Sequence, residues 1–173
     1  GETFPITMIS NVNLIGQGEE VTIIDAQQTD RVIYMKYSYN NIISDLTIKH
    51  GYAHLAGLEW QNSGGGIYLS FSSLILNNVT ITNNNAIYDG GGIYQTDESN
   101  SILNNVTITN NSCFHTGGGI HLGGMGSQSS LTSILTNVII SRNYAGGVEA
   151  IGAPQGGGIA MKGLVDDSHT IFT

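Results

Sequence analysis

An all-β solenoid of stacked parallel coils, with almost no helix, is the fold class this sequence predicts, and three observations predict it. Two unlike motifs recur and interleave: Val-Thr-Ile and its variants begin at Leu46, Val79, Val106 and Val138, and Gly-Gly-Gly-Ile runs begin at Gly64, Gly90, Gly117 and Gly156. The tightest copies lie 26 or 27 residues apart, a period typical of coils that cannot bury their apolar side alone. Within each copy β-branched and polar residues alternate, and no segment longer than a turn carries a 3.6-residue apolar repeat.

The strands follow from the alternation. In Val79-Thr80-Ile81-Thr82 the aliphatic residues share one face, assigned to the interior, and Thr80 and Thr82 share the other. The same test on Ile67-Tyr68-Leu69, Ile93-Tyr94-Gln95, Ile120-His121-Leu122 and Ile159-Ala160-Met161 places Ile and Leu inside and Tyr68, Tyr94, His121 and Ala160 outside. A third short strand precedes each Asn-Val step, at Leu74-Ile75-Leu76, Ile102-Leu103, Ile134-Leu135 and Ile171-Phe172. Three strands per coil and about five coils make a parallel β-helix. Val12 to Ile15, Val21 to Ile24 and Val32 to Met35 supply the strands of the N-terminal passage.

The chain reads as one β-helix domain over 1–173, with an opening coil at 1–45, regular coils at 46–163 and the start of a further coil at 164–173. Thr170-Ile171-Phe172-Thr173 aligns with Ser133-Ile134-Leu135-Thr136, one residue short of Asn-Val, so the expectation is a fragment of a longer chain.

Asn marks two corner phases. Asn78, Asn105 and Asn137 hold one, with Asp45 first; Asn84, Asn111 and Asn143 hold another, with His50 before them. Stacked Asn side chains can hydrogen-bond up the stack, and Asn tolerates the left-handed backbone a corner needs. The Gly triplets permit close approach of coils. They are not phosphate loops, which need a following helix and commonly a Lys.

Composition narrows the function. At 40% hydrophobic the chain can build a core, so its polar bias is not disorder. Five basic against 13 acidic residues give a net charge of -8, which argues against a nucleic-acid partner. No apolar run approaches the roughly 20 residues of a membrane span. The lone Cys113 has no partner for an internal disulfide and aligns with Ala86 and Ala145, so it reads as a packing thiol. The five His residues, at 50, 54, 115, 121 and 169, lack a tight ligand spacing, and no metal site is assigned.

These repeats resemble the right-handed parallel β-helix repeats of secreted bacterial and archaeal surface proteins in the pectin-lyase-like superfamily. The opening Gly1-Glu2-Thr3-Phe4-Pro5-Ile6, with Asn13-Leu14-Ile15-Gly16 and Val21-Thr22-Ile23-Ile24-Asp25, is similar to a leader that begins many such helices. The resemblance implies a right-handed coil and a secreted or cell-surface location. It spans the chain but is poor for activity, since the superfamily includes lyases, hydrolases, adhesins and stalks. Of the polygalacturonase signatures only an Asp166-Asp167 pair is present. The Arg31, Lys36, Lys49, Arg142 and Lys162 cations are scattered, unlike a lyase base beside a calcium cluster. No cofactor is called for, calcium being the only one considered.

Loop lengths give the local site. The step from strand to Gly triplet takes 11 residues at Val79 to Gly90 and Val106 to Gly117, but 18 at Leu46 to Gly64 and Val138 to Gly156. Two long loops therefore leave one corner three coils apart, framing a trough on the order of 14 Å across. Tyr52, His54, Glu59 and Trp60 form one wall, Tyr144, Glu149 and Ile151 the other, and Ile87, Tyr88, Asp89, Phe114 and His115 the floor. Aromatic rings beside carboxylates suit carbohydrate. If the trough were catalytic, Glu59, Asp89, His115 and Glu149 would be the candidates, a carboxylate pair roughly 5 to 10 Å apart running glycoside hydrolysis. Outward Thr80, Thr82, Thr107 and Thr109 form a small array of the kind found on ice-binding solenoids, broken in the flanking coils by Lys49 and Ile139.

The expectation is therefore a non-catalytic extracellular scaffold that presents loops to a polysaccharide, a cell-surface glycan or another surface partner. A polysaccharide lyase or glycoside hydrolase is the alternative, and a ligand-free stalk or filament subunit, stacking end to end or on a neighbouring domain, is the third reading.

Overall fold

The computed structural model describes residues 2–54, 62–123, 131–146, 156–162 and 169–173. Every strand pairing among them is parallel. The strands fall into three sheets that run the length of the stack. The first joins Ile6–Thr7, Ile33–Lys36, Ile67–Ser70, Ile93–Thr96, Ile120–Gly123 and Ile159–Lys162. The second contains the long strands Asn41–Lys49, Ser73–Thr82 and Asn100–Thr109. The third holds only the two-residue strands Tyr52–Ala53, Asn85–Ala86, Ser112–Cys113 and Tyr144–Ala145.

Register is set by what each strand buries. Ile67, Ile93, Ile120 and Ile159 pair in one file, and Leu46, Val79 and Val106 in another. Ile67, Leu69, Leu76, Val79 and Ile81 are fully buried in a single core that runs up the stack. Burying each such side chain contributes about 1.5–3 kcal/mol, and a one-residue slip would turn the whole file to water. At the last coil the core opens into a hollow of about 470 Å³ lined by Leu135, Val138, Ile140, Ile159 and Phe172.

Three details depart from the sequence reading. The expected strands at Leu74 to Leu76 and Val79 to Thr82 are halves of one bent strand, Ser73–Thr82. Its alternation slips at Asn77 and Asn78, which both face outward, because Asn78 takes a left-handed φ of 52° and turns the chain without ending its pairing. Asp45, Asn105 and Asn137 make the same bend at φ 57°, 54° and 52°. The remaining strand of each coil is the two-residue corner strand, too short to leave an alternation signal.

The second correction concerns the first sheet. Tyr68, Tyr94 and His121 face away from the aliphatic core but are buried, at 3%, 5% and 4% exposure. Parallel coils bring flat side chains of one file to stacking distance. Tyr34, Tyr68, Tyr94 and His121 form a continuous column with centroids 5.2, 5.4 and 5.1 Å apart. The buried Arg31 guanidinium lies against it, 4.9 Å from the Tyr68 ring and 5.5 Å from that of Tyr34. Among the described residues, Tyr68, Tyr94 and His121 of this column leave no ring face open to solvent.

Two Asn ladders tie the coils together. Outside, Asn137 Nδ2 donates to Asn105 Oδ1 at 2.8 Å, Asn105 Nδ2 to Asn78 Oδ1 at 3.1 Å, and Asn78 Nδ2 to Asp45 Oδ1 at 2.9 Å. Inside, Asn84 and Asn111 are 1% exposed, and Asn111 donates from Nδ2 to Ile81 O at 2.9 Å and to Asn143 Oδ1 at 3.0 Å. Asn143 Nδ2 donates in turn to Ile108 O. His50 does not belong to this inner file. The pairing of Lys49 with Thr82 puts His50 level with Asn83, and both are left-handed, at φ 52° and 53°. Gly51 stands in the ladder phase and gives its backbone N–H to Asn84 Oδ1 at 2.8 Å.

Gly91 shows what the triplets do. A Cβ there would run into the carbonyl oxygens of Ser112 and Gly118 on the next coil, so only glycine lets the corner close.

Candidate functional site

The third sheet is the corner at which both long loops leave. Its register pairs Tyr52 with Asn85, Asn85 with Ser112, and Ser112 with Tyr144. One step along, Ala53, Ala86, Cys113 and Ala145 point inward as a small cluster, the size a tight corner requires. One step further, His54, Ile87 and Phe114 face out. Successive coils thus lay two outward rows side by side.

The first row is aromatic at its ends and polar between them. Tyr52 is half-buried and stacks on the exposed His54, centroids 4.5 Å apart, while His54 Nδ1 lies 2.9 Å from Tyr52 O. Tyr144 is 63% exposed. Three coil rises of ~4.8 Å separate them by ~14 Å. Between them Asn85 Nδ2 donates to Ser112 Oγ at 2.8 Å. Among the described residues, the Asn85 side-chain oxygen Oδ1 and the Ser112 hydroxyl proton have no partner, and they are the groups this corner offers a ligand. In the second row Ile87 and Phe114 are exposed at 37% and 46%.

The expected floor is otherwise corrected. Asp89 lies beneath the strip at 5% exposure. Its Oδ1 accepts from the Thr116 backbone N–H at 2.9 Å, Thr116 Oγ1 at 2.6 Å and His115 Nδ1 at 2.8 Å. Thr116 gives its one hydroxyl proton to Asp89, so it accepts at its 2.6 Å contact with His121 Nδ1. Asp89 therefore anchors a buried network that fixes the corner to the aromatic column. His115 belongs to that network and is covered by Tyr88, centroids 4.8 Å apart. The candidates Glu59, Trp60, Glu149 and Ile151 lie outside the described residues, as do Asp166 and Asp167.

The neighbouring groups are neutralised or covered. Asp25 sits 3.5 Å from Lys49 Nζ and 3.0 Å from His50 Nδ1. Burial pulls its carboxyl upward, but the Gln27 backbone N–H, His50 and Lys49 outweigh that and hold it below the usual carboxylate range. Cys113 is pushed up to about 12, first by burial and then by Asp89. The Thr array is partly occupied, since Thr80 Oγ1 donates to Glu19 Oε1 and Thr47 Oγ1 to Glu19 O, both at 2.7 Å. Among the described residues no cluster of three or more His, Cys, Asp or Glu could hold a metal ion, and no helix is long and apolar enough to cross a membrane.

Asn85 and Ser112 escaped the sequence reading. The signal was present, since both stand one residue after the inner ladder Asn, as Tyr144 does after Asn143. Aligning His50 with Asn84 hid their equivalence to Tyr52.

Stacked parallel coils carrying an exposed corner strip define a β-solenoid scaffold. The chain belongs to the right-handed β-helix family: the family model described as "Right handed beta helix region" matches residues 10–162. No curated protein and no solved structure matches the chain.

Proposed function

We propose that this β-helix is a non-catalytic scaffold, secreted or displayed at a cell surface, whose corner strip binds a polysaccharide or a cell-surface glycan. The observation that carries the reading is the register of the third sheet, which aligns Tyr52, Asn85, Ser112 and Tyr144 along the stack. Ring faces pack on sugar C–H surfaces, and an amide and a hydroxyl between them suit sugar hydroxyls. Asn85 and Ser112 stand on strands paired on both sides, and Tyr52 and Tyr144 on the strands paired to these, so binding requires little ordering of the protein. Burial of Asp89 within its own network supports a binding role over a hydrolytic one.

Glycan-array screening, together with reducing-end and unsaturated-product assays on plant, algal and bacterial polysaccharides, tests this. The expected result is binding without product, weakened about tenfold or more by Tyr144→Ala. Product formation lost in Asp89→Asn would establish the enzyme reading instead.

A further inference from the structure

We infer that the strip selects neutral, hydroxyl-bearing saccharide chains over polyuronates and other polyanions, with the chain lying along the coil axis. This rests on the binding reading above and names its ligand class.

The first observation is the placement of cations. Of the five basic residues, Arg31 is buried between Asp30 and the Tyr34 and Tyr68 rings, and Lys36 sits over Tyr37 at a different corner. Lys49 is held by Asp25, and Lys162 is on a first-sheet strand. Among the cations whose side chains are described, Arg142 alone borders the strip. It stands level with Asn110, as Asn83 does one coil earlier, because Thr109 pairs with both Ser141 and Thr82. The middle rungs therefore offer Asn83 and Asn110, which carry no charge.

A polyuronate brings one carboxylate per sugar unit, and an extended sugar chain advances by close to one coil rise of ~4.8 Å per unit. Each rung would then need a cation, and two successive rungs have none. The net charge of -8 adds a repulsive field that falls off within about a Debye length.

The second observation is the hydrogen-bonding character of the floor. Among the described residues, Asn85 and Ser112 leave the Asn85 Oδ1 acceptor and two donors, the second Asn85 amide proton and the Ser112 hydroxyl proton, for a ligand. A sugar hydroxyl satisfies either. A carboxylate can accept those two protons but has none to give, so Asn85 Oδ1 is left unpaired beside it on binding. Donor and acceptor side by side, between two aromatic ends, complement a run of hydroxyls.

The test is calorimetric titration of the intact chain with neutral hexasaccharides from the gluco, xylo, manno and galacto series and with hexagalacturonate and hexamannuronate, at low and high salt. The inference expects at least one neutral series to bind, and both uronates to bind at least about tenfold more weakly at either salt. Ser112→Ala leaves the backbone pairing of the corner intact and should weaken the neutral ligand about tenfold, whereas Arg142→Gln should leave it unchanged. Uronate binding equal to or tighter than neutral binding, suppressed by salt and by Arg142→Gln, overturns the inference while leaving the binding reading in place. Absence of binding by every oligosaccharide overturns both.

Discussion

Asn111 Oδ1 accepts two hydrogen bonds from one neighbour, the backbone N–H of Asn84 and the Asn84 Nδ2 amide, both at 3.0 Å. Asn111→Ala leaves those donors and Ile81 O unpaired in a buried site, each at a cost of about 1–3 kcal/mol. We expect a loss of about 3 kcal/mol or more in urea unfolding. Asn105→Gly, on the exposed ladder at a left-handed φ that glycine accepts, should cost about 1 kcal/mol or less. Equal losses would contradict the distinction between the ladders.

Close packing of coils predicts a sharp difference between two glycines. Gly91→Ala should prevent folding, because its Cβ would meet carbonyl oxygens of the next coil. Gly158→Ala should be tolerated, because the nearest atom to its Cβ is Ile140 Cγ2 at 3.5 Å, an ordinary contact. Thermal melts followed by circular dichroism check both.

Cys113 should resist iodoacetamide in the native chain and react on unfolding. It is 2% exposed, and its thiol is pushed up to about 12 by burial and by Asp89. Cys113→Ala should cost less than about 1.5 kcal/mol, since Ala53, Ala86 and Ala145 occupy the same file. Rapid native alkylation would place the thiol at the surface.

The tyrosine column predicts the alkaline limit of stability. Burial first, and then Tyr34, raises Tyr68 from 10.0 to about 12, and burial raises Tyr94 in the same direction. Between pH 10 and 12 the folded chain holds protons that the unfolded chain has released, so stability falls as pH rises through that window and is unaffected by these groups below it. Tyrosinate absorbance should show Tyr68 and Tyr94 ionising only together with loss of the native circular dichroism signal. Tyr68→Phe should flatten the alkaline loss.

The recurrence of Val79 and Val106 within Gly triplet repeats was enough to read the solenoid and its inward files, because one dry core requires the same residue type in every coil. Alternation reveals which side a residue faces and says nothing of what covers it, so it places Tyr68, Tyr94 and His121 outside the aliphatic core without showing that they are buried. The corner strands were invisible, since two residues such as Asn85-Ala86 carry no period. The sequence places Asp89 on the trough floor but carries no sign that Thr116 and His115, 27 and 26 residues later, close over it.

One ligand touching Tyr52 and Tyr144 across three coils makes affinity depend on ligand length, and affinity against chain length is the most direct measurement. For the neutral series that binds, affinity of the unaltered chain should climb from the disaccharide until a ligand spans ~14 Å and then level off, while Tyr144→Ala should remove that climb and leave the disaccharide unaffected. An affinity independent of length, or a Tyr144→Ala loss as large for the disaccharide as for the hexasaccharide, would contradict it.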